Sequence, residues 1–309
     1  MTAAMHMLAY GTAIDLNDDY LKIAETTSFE ACKKFCHAVN NLYGAEYLRK
    51  PTKENLQKLL QKAEEWGFPC RLGSLDCMHW EWKNCPMSHH GAYTGHHGRP
   101  TIILEVVASY DTWIWHANFG MPGVYNDLNV LYKSPIFNDV IQGRASRVRY
   151  YLNGKQYKQG YYLANGIYPK WSTIVQSFSD PQGQQHQLFS RMQEAYRKDV
   201  ERAFGILQAR FAVVARPARQ WYREDIWEVL KTCIILHNVI IEDERNQDDI
   251  TPAEDTPYHV DEALVPHERG SRNIQLESIN QSIINDPTAH YNLRYDIIPH
   301  LWEQYGTEL

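Results

Sequence analysis

Residues Thr101 to Ser109 read Thr-Ile-Ile-Leu-Glu-Val-Val-Ala-Ser, an almost continuous apolar run whose only charge is Glu105. It falls well short of the roughly 20 residues that cross a bilayer. Its β-branched content fits a strand buried on both faces, which requires a layer of structure on either side. Its surroundings supply the other strands. Gly73 to Trp82 alternates, setting Leu75, Cys77, His79 and Glu81 on one side and Asp76, Met78, Trp80 and Trp82 on the other. Trp113 to Phe119 follows the Asp111-Thr112 turn, and Tyr161 to Ala164 is a fourth short strand running into Asn165-Gly166-Ile167-Tyr168-Pro169. Helices are expected at Asn126 to Tyr132, Lys170 to Ser177, Glu194 to Val213 and Ile226 to Glu242. The alternation predicts an α/β layered domain over residues 71–242, whose strand ends present residues for chemistry.

Two flanking segments differ in kind. Residues 1–70 read as a helical lobe resembling a small helix-turn-helix: Asn17-Asp18-Asp19 and Thr26-Thr27-Ser28 look like capping clusters, and Lys53 to Trp66 is amphipathic and ends at Gly67 and Pro69. Residues 243–309 read as a flexible acidic segment, Asp243 to Ser282, followed by an apolar tail that docks near Ile297 and Leu301-Trp302. The chain is 44% hydrophobic over 309 residues, which excludes a disordered protein. No secretory signal or membrane span is visible, and six scattered cysteines without a CxxC read as free thiols, so an intracellular, non-membrane protein is expected.

The net charge of −6 hides an uneven distribution. Glu242 to Glu268 holds ten acidic residues against Arg245 alone, leaving the rest of the chain net positive. Arg191 to Arg219 carries seven basic residues against three acidic ones, including Arg197, Lys198, Arg202 and Arg210. With Lys33 and Lys34 of the second N-terminal helix, these are the candidate DNA contacts, since a local excess of cations attracts a polyanion.

Several carboxylates stand out. Asp76 lies inside the apolar string Leu75-Asp76-Cys77-Met78, where burial is costly unless the group is paired or ligating; a hydrogen-bonded core aspartate is the alternative. Asp127 sits between a strand and a helix, where an N-cap role is the simpler reading. Glu201 lies one turn after Arg197, and a surface ion pair would explain it alone. A second cluster, Cys77, His79, Cys85, His89, His90, His96 and His97, matches no standard zinc spacing and reads as a histidine-rich hairpin tip. No Gly-rich phosphate loop or nucleophile elbow appears, which argues against kinase, hydrolase and dehydrogenase functions.

Taken in order, the blocks GSLDCMHWEWKNCP, GRPTIILEVVASYDTWIWHANFGMPGVYNDLNVLYKSPIF, YYLANGIYPKWSTIV and RKDVERAFGILQARFAVV resemble the plant-type blocks of the PIF/Harbinger family of DNA transposases and their derived proteins. The resemblance implies a ribonuclease-H-like DDE core, a mixed sheet flanked by helices, that cuts DNA with carboxylates. By position the first Asp falls on Asp76, a further family acid on Asp127 and the Glu on Glu201. Where the family usually has Asp before Gly/Ser-x-Tyr-Pro, this chain has Asn165, and the 35 residues between it and Glu201 resemble the family's spacing from second Asp to Glu. The implied cofactor is Mg²⁺ or Mn²⁺, held by Asp76, Asp127, Glu201 and the weakened ligand Asn165, because two divalent cations clamp a scissile phosphate and prefer oxygen ligands. Asparagine offers a carbonyl oxygen without charge. The expected function is therefore a transposase-derived endonuclease or strand-transfer protein impaired at position 165; the alternative is a domesticated copy without cleavage, serving as a DNA- or protein-binding module. Implied partners are transposon terminal-repeat DNA, a Myb-like DNA-binding protein and a second copy of the chain, with nuclear localisation, or cytoplasmic without the partner.

Overall fold

In the computed structural model, residues 1–12, 21–142, 144, 148–245, 259–260 and 274–306 are described. The chain forms two compact units, each assembled from three segments. The first contains residues 1–50, 77–130 and 200–246; the second contains 51–76, 131–199 and 247–309. The expected capping cluster at Asn17-Asp18-Asp19 lies outside the described residues.

Strand β1 (Arg71–Glu81) contributes to both units, its first residues to the second unit and those from Cys77 onward to the first. In the first unit it is followed in the sheet by β2 (Thr101–Ala108) and β3 (Ile114–Pro122), the last two antiparallel. Every residue of β2 is buried, as its apolar run predicts. Its one carboxylate, Glu105, meets the Nε2 of His116 across the ladder at 3.1 Å, which answers the cost of burying an acid. One sheet face, carrying Trp80, Trp82, Ile102 and Leu104, packs in a single core with α8 (Asp199–Arg210), α10 (Arg223–Glu244) and residues of α1 (Thr2–Tyr10) and α2 (Glu25–Tyr47). Helix α2 starts before Thr26-Thr27-Ser28, so these residues lie inside it rather than capping it.

The second unit is built on the other end of β1. Helix α3 (Lys53–Glu65) is the expected amphipathic helix, and it begins at a capping box between Thr52 and Asn55. It stops at Gly67, whose φ of 72° favours glycine and against which the Leu301 side chain packs too closely to admit a Cβ. β1 pairs in parallel with β6 (Tyr161–Leu163), and β6 pairs in parallel with β7 (Ile174–Val175). A small separate ladder, β4 (Val148–Leu152) with β5 (Lys155–Tyr157), turns through Asn153-Gly154, both at positive φ, the geometry of a type I′ hairpin. That dipeptide is the sequence signal for these two strands, which hydrophobic alternation alone passes over.

Four expectations are corrected. Lys170 to Ser177 is not a helix: Ile174 and Val175, both β-branched, complete the sheet edge as β7. Glu194 to Val213 is not one helix but the end of α7 (Gln184–Arg197), then α8, then the single turn α9 (Ala212–Ala215). The first break follows Lys198, where Asp199 turns inward, and the second is at Phe211, which leaves helical geometry with φ −127°. The histidine-rich stretch begins as a short helix, α4 (Met87–Tyr93), before an isolated bridge between Thr94 and Pro100 closes the following loop. Finally, Asp243 to Ser282 is not wholly unstructured: β8 (His259–Val260) pairs with β4, and α11 (Ile274–Ile284) ends at a buried Ile284 whose carbonyl accepts the Ser172 N–H. The Asn280 amide of α11 also donates at 2.8 Å to the Ile141 carbonyl, which ends the single turn α6 (Asn138–Ile141). The tail forms α12 (Pro287–Tyr305), with Ile297 and Leu301 buried in the second unit's core, where docking was expected.

Candidate active site

The parallel β1–β6 pairing ends at Ser74 opposite Leu163. Asp76 and Asn165 each lie two residues further on, so they stand at matching register positions, Asp76 within β1 and Asn165 just past the end of β6. Strand ends of open α/β sheets are where such folds carry their chemistry. Asp76 is half-buried in the strand, and Asn165 is half-buried in the turn that follows β6. The Asn165 Oδ1 accepts the Ile167 N–H at 3.0 Å, an Asx turn that a carboxylate at this position would make equally well. Asparagine therefore preserves the local backbone while removing the charge.

Residues that were not foreseen hold this corner. The Gln193 amide, fully buried on α7, donates to the Ala164 and Val175 carbonyls at 3.0 Å each, clamping the ends of β6 and β7. The Ser74 hydroxyl donates to the Tyr196 carbonyl at 3.0 Å. Arg71, near the start of β1, makes a buried ion pair with Asp199 at the start of α8. A lone glutamine on the buried face of an amphipathic helix was the available signal.

The other two candidates lie in the first unit. Asp127 opens α5 (Asp127–Lys133), but the cap is its neighbour: the Asn126 Oδ1 accepts the Asn129 N–H at 3.0 Å, so the N-cap reading of Asp127 is corrected. Glu201 is exposed on the first turn of α8. The structure thus brings Asp76 and Asn165 together in one unit and sets Asp127 and Glu201 in the other. Among the described residues, no three His, Cys, Asp or Glu side chains are arranged to hold a metal ion. With a neutral amide rather than a carboxylate at position 165, this corner offers a divalent cation weaker ligands than a pair of carboxylates would.

The candidate cations differ in their availability. Lys33 pairs with Asp225 at 3.0 Å, and Arg210 pairs with Glu244 at 2.5 Å. Lys34, Lys198 and Arg202 are exposed, and Arg197 is half-buried at the end of α7. Three histidines of the first unit gather instead into a cluster: His79 lies with its ring centre 4.5 Å from His97 and 5.5 Å from His96, and its Nδ1 meets the Thr101 Oγ1 at 3.0 Å. Burial, then His97 and His96, lower the pKa of His79 to about 4, keeping it neutral at physiological pH. A Cβ at Gly95 would collide with the Gly123 carbonyl, and one at Gly123 with Thr101 and the Tyr93 carbonyl, so neither position admits a side chain.

A family model described as plant transposon protein matches residues 45–248, well over half of the chain. The chain belongs to this plant transposon protein family. The match spans every block and all four candidate site residues, leaving α1 and the docked tail outside. As a transposon protein it has, among the described residues, no helix long and apolar enough to cross a membrane. No curated protein and no solved structure matches the chain.

Proposed function

We propose that this plant transposon protein is a transposase-derived protein of PIF/Harbinger type, with a ribonuclease-H-like core, that acts on transposon terminal-repeat DNA and whose Mg²⁺- or Mn²⁺-dependent cleavage is impaired at position 165. The observation that carries the reading is the matching register of Asp76 within β1 and Asn165 just past the end of the parallel neighbour β6, with the Asx turn of an aspartate retained. An acid on one strand level with an amide just past the end of its parallel neighbour is what loss of one catalytic carboxylate from a working pair would leave. Asp127 and Glu201 are the further acids that this reading names. Nuclear action beside a Myb-like partner belongs to the same reading.

A second reading, a DNA- or protein-binding module without cleavage, is favoured by the uncharged amide that stands at position 165. Incubating the purified protein with terminal-repeat DNA and Mn²⁺ separates the two. Nicking that disappears in Asp76→Ala supports the first reading. No nicking by the wild type or by Asn165→Asp, with DNA binding intact, supports the second and overturns the first.

A further inference from the structure

The segment from Arg216 to Arg223 reads Arg-Pro-Ala-Arg-Gln-Trp-Tyr-Arg, three arginines and two large aromatics without an acid. It crosses the surface of the first unit between α9 and α10, and its main chain is unusually well held for a connecting strap. The Trp80 indole donates to the Arg216 carbonyl at 2.8 Å, the Lys83 N–H to Ala218 at 2.9 Å, the Asn84 amide to Arg219 at 2.5 Å and the Trp82 indole to Gln220 at 2.9 Å. The Ala218 N–H in turn donates to the Glu81 carbonyl at 2.8 Å. The end of β1 and the residues just after it thus fix the strap residue by residue.

What the fixed backbone presents is solvent-facing. Trp221 is 57% and Tyr222 64% exposed, and neither ring stacks on another among the described residues. Lys83 and Arg219 are exposed beside them and form no ion pair among the described residues. Arg223 is engaged by Glu224 at 3.3 Å, and Arg216 reaches the Gly11 carbonyl, so its charge is not neutralised. Adjacent exposed aromatics form an apolar patch of the kind that marks an interaction site. Rigid rings beside uncompensated cations match a partner with flat apolar faces and regular negative charge.

We propose that the Arg216–Arg223 strap is a binding platform for single-stranded DNA, with bases stacked on Trp221 and Tyr222 and phosphates held by Lys83 and Arg219. An acidic peptide would satisfy the cations but leave the rings without planar partners. The choice of DNA rests on the proposed function above; the platform itself uses none of Asp76, Asp127, Asn165 or Glu201.

Fluorescence anisotropy of labelled dT20 with the full-length protein tests this, beside a 20-bp duplex, rU20 and polyglutamate. Trp221→Ala/Tyr222→Ala is expected to weaken dT20 binding about tenfold or more while leaving duplex binding within about twofold, because stacking needs unpaired bases. Trp221→Phe/Tyr222→Phe, which keeps the rings, is expected to recover most of it. Lys83→Ala/Arg219→Ala is expected to flatten the slope of log affinity against log salt by about 0.7 for each phosphate that is no longer neutralised. Thermal unfolding confirms that each variant is folded. Unchanged dT20 binding by the ring variant, equal loss on the duplex, or polyglutamate binding with the same dependence on the rings overturns the platform; tighter binding of rU20 than dT20 overturns its assignment to DNA. Ring-dependent dT20 binding without metal-dependent nicking removes the nuclease reading and leaves this one standing, whereas nicking with ring-independent binding does the reverse.

Discussion

The guanidinium of Arg71 donates to the carboxylate of Asp199, and the two side chains are 4% and 0% exposed. Trp66 and Tyr196 stack at 4.7 Å, with the guanidinium carbon 5.6 Å from each ring centre, so the pair sits in an aromatic enclosure where water cannot replace a missing partner. Removing one member should therefore cost far more than the pair contributes as a whole. Asp199→Ala is expected to destabilise the protein by about 3–5 kcal/mol in urea unfolding, whereas Arg71→Met/Asp199→Leu recovers most of that loss. A cost below about 1 kcal/mol for Asp199→Ala would show that the charge is not isolated.

Asn165→Asp tests the proposed lesion directly. The new carboxylate keeps the acceptor for the Ile167 N–H, so the turn after β6 is retained and the melting temperature is expected to move by no more than a few degrees. It also adds a charged oxygen ligand just past the end of β6, level with Asp76 on the neighbouring strand. Calorimetry should then show Mn²⁺ binding tighter than in the wild type, lost again on adding Asp76→Ala. Equal Mn²⁺ binding in wild type and Asn165→Asp would count against Asn165 as the position of the lost acid.

Hydrophobic pattern carried most of the first-unit sheet. The run at Thr101 to Ser109 announced a strand without a solvent face, and β2 is that strand; the alternation around Asp76 announced β1, because period two is a direct consequence of pleating. Where reading failed, a tertiary contact overrode local preference. Glu194 to Val213 has helical periodicity throughout, yet the chain breaks before Asp199, which is buried against Arg71 from a distant strand. Lys170 to Ser177 is too short for periodicity to separate helix from strand, and the open edge of β6 decided it. At the candidate site, the residue types at 76 and 165 were readable, but their matching height depends on the parallel register, and the Gln193 clamp depends on a buried helix face. Neither is local.

Acid should weaken this fold below about pH 6.5. His79, His97, His237, His290 and His300 all have pKa values lowered chiefly by burial, so each is held neutral when folded but protonates at its ordinary pKa when unfolded. Their contribution is fully present above about pH 6.5 and is lost as pH falls, with His79 reaching its folded pKa near 4. Melting temperatures measured from pH 7.5 to 4 are expected to decline through this window. His79→Gln, which cannot protonate, should decline less steeply than the wild type; parallel curves would show that the histidine cluster is not a source of acid sensitivity.

Arg245 is the single basic residue in the acidic stretch from Glu242 to Glu268, and it anchors the end of α10. Its Nε and Nη2 donate to the Asp111 Oδ2 at 3.1 and 2.6 Å, and its guanidinium carbon lies 4.6 Å from the centre of the Trp113 ring. The other oxygen of Asp111 accepts from the Ser109 hydroxyl at 2.5 Å and the Trp113 N–H at 3.3 Å, holding a β2–β3 turn that contains Thr112 at φ 66°. One carboxylate thus serves both the turn and the helix end. Arg245→Ala is expected to cost about 1–2 kcal/mol, the sum of a half-buried ion pair and a cation–π contact, and to lose part of that cost in high salt. Asp111→Ala should cost more, since the turn loses its acceptor as well. Deleting Asp243 to Ser282 removes Arg245, the strand paired with β4 and most of α11, so it should lower the melting temperature by more than Arg245→Ala alone. An unchanged melting temperature in that deletion would return the whole segment to the status of a detachable acidic linker, the expectation the β4–β8 pairing and the Arg245 anchor now oppose.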